Sequence, residues 1–321
     1  MVGFNGGAVT QCYSRGEVRS TGSGLFSMFF NPECVGGLMG HNGGYVAQCY
    51  SACAVDGNNA VGGLVGSNSG TVTQCCSTAT VDGNEAVGGL VGHTWGVASD
   101  NVYISTIDNC YSLGRVSGRA SVGGLIGTAS ATEQCEYCES WYCYCSCLWP
   151  SIINCYAAGS VSGNSHTGGL IGEWNLDCDP SAYEASENNV IRCFWDTKTS
   201  GQVTSDGGTG KTTAEMKTKS TFTSSGWDFV GETVNGPNDI WSICEGTNYP
   251  RLVWQIPAGD FVCPDGITME EDFDFFMDHW ENSNCDSSNG YCDGTDLDLS
   301  GTVDIDDFKI LINQWLEEIS G

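Results

Sequence analysis

The sequence predicts a mainly β chain. The expected fold is a parallel β-solenoid of roughly 26-residue repeats with insertions, followed by a small α-helical domain made of a duplicated loop and helix. Three observations carry this. A glycine-paired hexapeptide returns along the first part of the chain, a cysteine-led tripeptide alternates with it, and an acidic loop near the end precedes an amphipathic segment whose apolar spacing has already occurred once upstream.

The hexapeptides run from Val35 to Gly40, Val61 to Gly66, Val87 to Gly92, Val122 to Gly127 and Thr167 to Gly172. The tripeptides are Cys12-Tyr13-Ser14, Cys49-Tyr50-Ser51, Cys75-Cys76-Ser77, Cys110-Tyr111-Ser112 and Cys155-Tyr156-Ala157, with Cys193-Phe194-Trp195 as a final copy. From Cys49, Cys75, Cys110 and Cys155 the next glycine pair always lies 13 residues on, whereas the return distances are 13, 13, 22, 32 and 25. One arc is therefore constant and the other takes the insertions, as in a stacked coil with loops on one side. A propeller blade needs more residues than this repeat supplies.

After each cysteine the pattern has period two. Cys75, Ser77, Ala79 and Val81 fall on one face, as do Cys110, Ser112, Gly114 and Val116, and Cys155, Ala157, Gly159 and Val161. Alternation of this kind makes a strand with one buried face, and such small inward residues imply a narrow interior. Asp82-Gly83-Asn84 and Ser162-Gly163-Asn164 read as turns. The cysteines led by Cys12, Cys49 and Cys75 are expected to form an inward ladder of core thiols. Tyr13, Tyr50, Tyr111 and Tyr156, one position later, are expected to project outward as a surface row suited to carbohydrate or protein.

The glycine-paired units resemble the GLUG motif of bacterial surface and secreted proteins, over about residues 1–195. The resemblance implies an extracellular or cell-surface setting, an adhesive or structural role, and no catalytic residues. Composition agrees with that setting. The 39 acidic residues against 11 basic ones give a net charge of −28, which disfavours nucleic acid and anionic lipid. No stretch is apolar and long enough to insert in a membrane. The chain starts inside a repeat and without a signal sequence, so a longer exported protein is expected. The odd total of 19 cysteines predicts at least one thiol that is free or paired between chains. Cys135, Cys138, Cys143, Cys145 and Cys147 crowd the longest insertion; disulfides are the preferred reading there and a zinc site the other.

Residues 196–258 lose the period and are rich in aromatics, among them Trp227, Phe229, Trp241 and Trp254, and are expected to cap the open end of the coils. Gly207 to Thr212 lacks the first glycine of a phosphate loop, since Ser205 stands there, and reads as a surface loop.

The third expected domain spans 259–321. Asp296, Asp298, Ser300 and Asp304 offer side-chain oxygens at loop positions 1, 3, 5 and 9, Thr302 its carbonyl at 7, and Asp307 a carboxylate at 12, with Gly301 at 6 for the sharp turn. A hard cation needs many oxygens at once, so one Ca2+ site is expected. Phe308, Leu311, Ile312 and Trp315 then mark one helical face, and Phe273, Phe276, Met277 and Trp280 repeat it upstream, with Thr268 and Glu271 as a capping box. This duplication resembles a dockerin, which implies docking onto a protein partner. It departs from that family at Phe261 and Cys263, which replace ligands in the first loop, and at Ile305 and Asp306, which replace the Ser-Thr pair that contacts the cohesin partner. Cys263, Cys285 and Cys292 are expected to staple the module.

Three functions follow as expectations. The first is a non-enzymatic structural or adhesive scaffold with a calcium-stabilised docking module, or self-association along the solenoid. The second is a β-helical protein that binds or degrades polysaccharide. The third is a dockerin-borne subunit of a larger extracellular assembly.

Overall fold

The computed structural model describes residues 1–20, 34–96, 105–139, 142–175, 189–263 and 270–320, and for 132–139, 142–147 and 316–320 the backbone alone. It divides into two units, Met1–Glu215 and Met216–Gly321.

The first unit is mainly β, and its long sheets are parallel. One repeat contributes the strands Asn59–Gly62, Val65–Asn68 and Thr71–Thr73, then Cys76–Ser77 and Thr80–Asp82. Each lies beside its equivalent one repeat away: Val61 pairs with Val87, Val65 with Val91, Val72 with Ile107, and Ser77 with Ser112. Repeat is thus stacked on repeat in four ladders, an arrangement compatible with a β-solenoid. Pairing continues past residue 195, because Thr209–Lys211 joins Phe194–Asp196 in parallel. The expected surface loop at 207–212 is therefore partly a strand. His41 and His93, which follow Gly-Leu-x-Gly units, lie in the strands Met39–Asn42 and Val91–Trp95.

Two apolar columns run along the stack. The larger holds Leu64, Val65, Val72 and Cys75 with their counterparts, and the smaller is a valine column of Val55, Val61, Val81, Val87, Val116 and Val122. A narrow waist separates them. There the second glycine of each pair faces the residue two after a ladder cysteine: Ser51, Ser77 and Ser112 for Gly37, Gly63 and Gly89, then Ala157 for Gly124 and Trp195 for Gly169. A Cβ on Gly63 would stand 2.2 Å from Ser77 Oγ and 2.1 Å from the Gly89 carbonyl of the next repeat. The glycine pairs are needed because backbones meet there, and none of them has a positive φ.

The sharp corners are made by other residues. Gln11, Gln48, Gln74, Asn109, Asn154 and Arg192, each just before a ladder cysteine, take φ between 48° and 55°. Ala60, Ala86, Ser121 and His166, just before the Val-Gly or Thr-Gly step, take φ between 46° and 53°. Left-handed backbone costs roughly 1–2 kcal/mol for residues other than glycine, so stacking must hold it. Polar ladders contribute. The buried Asn5, Asn42 and Asn68 form a chain in which Asn5 Nδ2 donates to Asn42 Oδ1 at 2.9 Å and Asn42 Nδ2 to Asn68 Oδ1 at 2.8 Å. Asn42 Oδ1 also accepts from Gly44 N at 3.1 Å. Replacing Asn42 by leucine removes its bonds to all three partners and leaves Asn5 Nδ2 only the Tyr45 carbonyl at 3.4 Å, and is expected to lower stability by about 3 kcal/mol. Denaturant unfolding of the full chain measures this, with the exposed Asn58 as the control position.

The cysteine ladder is present. Cys49, Cys75 and Cys110 accept from the backbone N–H of the preceding ladder cysteine at 3.4 Å. Their thiols donate to the carbonyls of Ala47, Thr73 and Asp108 at 3.2, 3.1 and 3.2 Å. Cys12 is exposed, whereas Cys49, Cys75, Cys110, Cys155 and Cys193 are buried. The hydrogen bond with Cys75, followed by burial, pushes the Cys49 thiol up, and burial before all else pushes up Cys75 and Cys155. A thiol harder to ionise when folded stabilises fully below its unfolded pKa, about 8.5, and that contribution is lost as pH rises toward the folded value. The thermal midpoint of the first unit is therefore expected to fall between pH 8 and pH 10. Iodoacetamide at pH 8 should label Cys12 and spare Cys75, as read by mass spectrometry; native labelling of Cys75 would contradict the ladder.

The second unit contains an aromatic cluster. Trp227 packs against Phe222 and Trp241 at ring separations of 4.8 and 4.7 Å, and all three are fully buried. Helices Glu270–Asp278 and Ile305–Ser320 meet through Phe273, Phe276 and Trp280 around Phe308, with centroids 6.0, 6.2 and 6.4 Å away. Phe276 and Leu311 are buried as the helical spacing requires, but Met277 is 43% exposed and does not belong to the face. The expected Thr268 cap lies outside the described residues.

Candidate metal centre

The loop before helix Ile305–Ser320 is held from both sides. Upstream, Cys285 is joined to Cys292 by a disulfide, and Cys285 N donates to the Gly301 carbonyl at 3.1 Å. Val303 is fully buried, and it exchanges backbone hydrogen bonds with Glu281 and Asn282 at 3.0 and 2.9 Å. Gly301 turns the chain at φ +96°, where a side chain would be strained.

Within this frame the carboxylates of Asp296, Asp298 and Asp307 converge, with one oxygen from each within 4.8 Å of the others. Asp296 and Asp307 are buried and Asp298 is exposed, so the group is rooted in the core and open on one side. Backbone N–H groups orient them. Asp296 accepts from Ser300 N at 3.0 Å and Gly301 N at 2.9 Å. Asp307 accepts from Asp298 N at 3.0 Å and Asp304 N at 2.8 Å. Hydrogen bonds from Ser300 hold the Asp298 carboxyl below its usual range. Three like charges this close repel each other, and a cation relieves the repulsion.

The other sequence-derived ligands form the rim. Ser300 Oγ donates to the Thr302 carbonyl at 3.1 Å, and Asp304 accepts from Asp306 N at 2.8 Å and does not join the three-carboxylate group. In the first copy, Asp272 matches Asp307: it is buried and accepts from Phe261 N and Val262 N at 2.7 and 2.9 Å. Cys263, at a ligand position there, is joined to Cys244, outside the expected module boundary. Residues 264–269, including Gly266, lie outside the described residues.

The tyrosine row needs correction. Its register is as expected, since Tyr13 pairs with Tyr50 and Tyr111 with Tyr156. The rings stack face to face, at 5.4 Å and 11° in the first pair and 5.1 Å and 9° in the second. Tyr13 is exposed, but Tyr111 and Tyr156 are buried, with Tyr156 lying in the ladder between Tyr111 and Phe194. Stacking covers one face of each ring, and burial takes Tyr111 and Tyr156 out of any surface row. A different surface ring group was not anticipated: Phe4 stacks on His41 at 5.2 Å, and Trp95 lies 5.3 Å from His41 and 5.0 Å from His93. Its only sequence signal was that both histidines follow the same Gly-Leu-x-Gly unit.

The five cysteines of the longest insertion lie on the antiparallel strands Thr132–Glu139 and Tyr142–Leu148. Their side chains, and with them the choice between disulfides and zinc, lie outside the described residues.

Residues 83–117 match the family model of the GLUG motif. This GLUG segment runs from the Gly83 turn, through the glycine pair Gly88-Gly89 and the cysteine Cys110, to the valine-column strand Val116–Ser117. It covers one repeat with its insertion. No curated protein and no solved structure matches the chain.

Proposed function

We propose that this chain is an extracellular structural or adhesive protein of bacterial type, without catalytic activity. Its stacked repeats act as a rigid spacer, and its C-terminal loop–helix duplication works as a dockerin-like module stabilised by calcium. The observation that carries this reading is the convergence of Asp296, Asp298 and Asp307, two of them buried, in front of a helix whose first turn is acidic. An all-oxygen donor set fits a hard cation better than zinc, whose sites are built mostly on nitrogen and sulfur. Asp296, Asp298, Ser300, the Thr302 carbonyl, Asp304 and Asp307 would hold Ca2+. The ion would cancel the carboxylate repulsion and lock the loop against the helix pair.

Only one calcium site is expected, because the first copy spends Cys263 in a disulfide. Calorimetric titration of the full chain should show one site of micromolar to millimolar affinity. No heat at millimolar calcium would overturn the reading. Capture of a protein partner on the immobilised chain, lost in chelator and restored by calcium, would favour a subunit of a larger assembly over a free-standing spacer. The polysaccharide reading has less support, since the tyrosines expected to bind sugar stack on one another.

A further inference from the structure

We propose that the insertion hairpin carries two cross-strand disulfides, Cys135–Cys145 and Cys138–Cys143. The inference rests on backbone register and is independent of the calcium module. In the antiparallel ribbon of Thr132–Glu139 and Tyr142–Leu148, Cys135 stands directly opposite Cys145, and Cys138 directly opposite Cys143.

Sequence spacing alone would not give this arrangement. Cys143, Cys145 and Cys147 alternate and so share one face of their strand. Cys135 and Cys138 are three residues apart, which in a regular strand places them on opposite faces. The register shifts between Cys135 and Tyr137, where Glu136 is the extra residue, and this bulge returns Cys138 to the face of Cys135. All five cysteines therefore occupy one face of the ribbon, with Cys147 opposite Glu133 and outside both pairs.

The pairing of the strands favours one of the two chemistries open to such a face. Directly opposite residues have Cα atoms about 4.5–5.5 Å apart, inside the roughly 4.4–6.8 Å that a disulfide spans. A tetrahedral zinc site with Zn–S near 2.3 Å needs its sulfurs about 4 Å apart. One ion would have to draw all four sulfurs to a single point, whereas the register sets the four cysteines as two facing pairs, each at the spacing a disulfide spans. The same chain forms Cys244–Cys263 and Cys285–Cys292, so its cysteines pair elsewhere.

Each bond forms by thiol–disulfide exchange with a low-molecular-weight disulfide. One cysteine thiolate attacks it and releases a thiol, and the opposite cysteine then displaces the second. The two electrons and two protons lost by the cysteine pair end on the two small thiols. A two-stranded ribbon is marginal alone in water, and the two bonds would make this one a fixed projection.

The test is disulfide mapping of the full, unreduced chain, with thiols blocked in denaturant before cleavage after glutamate and after Tyr144. The expected result is one linked species containing Cys135 and Cys145 and another containing Cys138 and Cys143. The Cys135→Ser chain should expose Cys145 to alkylation while the Cys138–Cys143 species persists. Linkage of Cys135 to Cys138, alkylation of all four without reduction, or one zinc per chain released on acidification would each overturn the proposal.

Discussion

A chain carrying Asp307→Ala is expected to lose calcium affinity by about 100-fold or more, the largest functional effect of any single substitution in the loop. Asp307 is fully buried and holds two backbone N–H groups, those of Asp298 and Asp304, so it sets the loop shape as well as supplying charge. Losing one charge-assisted contact to the ion costs about 3 kcal/mol, which corresponds to that factor. In chelator the sign of the effect is less one-sided. The variant loses two hydrogen bonds but also relieves repulsion among three carboxylates within 4.8 Å. The thermal midpoint should therefore fall much further with calcium than without it, and equal losses in both conditions would argue that Asp307 is a structural cap only. Asp306→Ala is the control: Asp306 is exposed, and its pairing with Lys309 is of the kind worth at most about 1 kcal/mol.

The largest stability effect is expected at the waist of the coils. A Cβ on Gly89 would lie 2.2 Å from the Gly124 carbonyl and 2.2 Å from Ser112 Oγ. The serine could be trimmed, but the carbonyl belongs to the backbone of the next repeat and moves only if the stack opens. Gly89→Ala should therefore cost about 3 kcal/mol, at the upper end of overpacking effects, and lower the midpoint of the first unit by about 6–12 °C. Adding Ser112→Gly should restore only part of it. Gly3→Ala meets no atom within 4 Å and should leave the midpoint unchanged or slightly raised. Scanning calorimetry on the three chains decides the matter; a midpoint for Gly89→Ala within 1–2 °C of the parent would remove the waist as a determinant.

The parts of the fold legible in the sequence were those encoded by spacing. The constant distance from Cys75 to Gly88 and from Cys110 to Gly123 forced equal arcs, and equal arcs stack. The period-two run from Cys75 to Val81 gave the buried face correctly, and the apolar series at Phe308 and Leu311 gave the helix contact. The positions missed are those where a neighbour decides the conformation. Nothing in Gln48 or Ala60 announces a left-handed corner, since neither favours one alone. Asn42 carries no local signal of its role, which exists only because stacking sets Asn5 and Asn68 on either side of it. The tyrosine row failed for the same reason. Alternation says that Tyr156 leaves the strand away from Cys155, but it cannot say that Tyr111 will lie against one side of its ring.

For the acidic loop, residue order alone fixed which oxygens could reach one point, because the twelve positions from Asp296 to Asp307 wrap around a glycine turn. Tertiary structure decided which of them converge: Asp296 and Asp307 are anchored in the core while Asp304 accepts from the Asp306 N–H. In the repeats, likewise, sequence spacing determined the period and the inward row. Only stacking determined the corners, the polar ladders and the two-column core, because each repeat's partners lie on the repeats above and below it and no local pattern contains them.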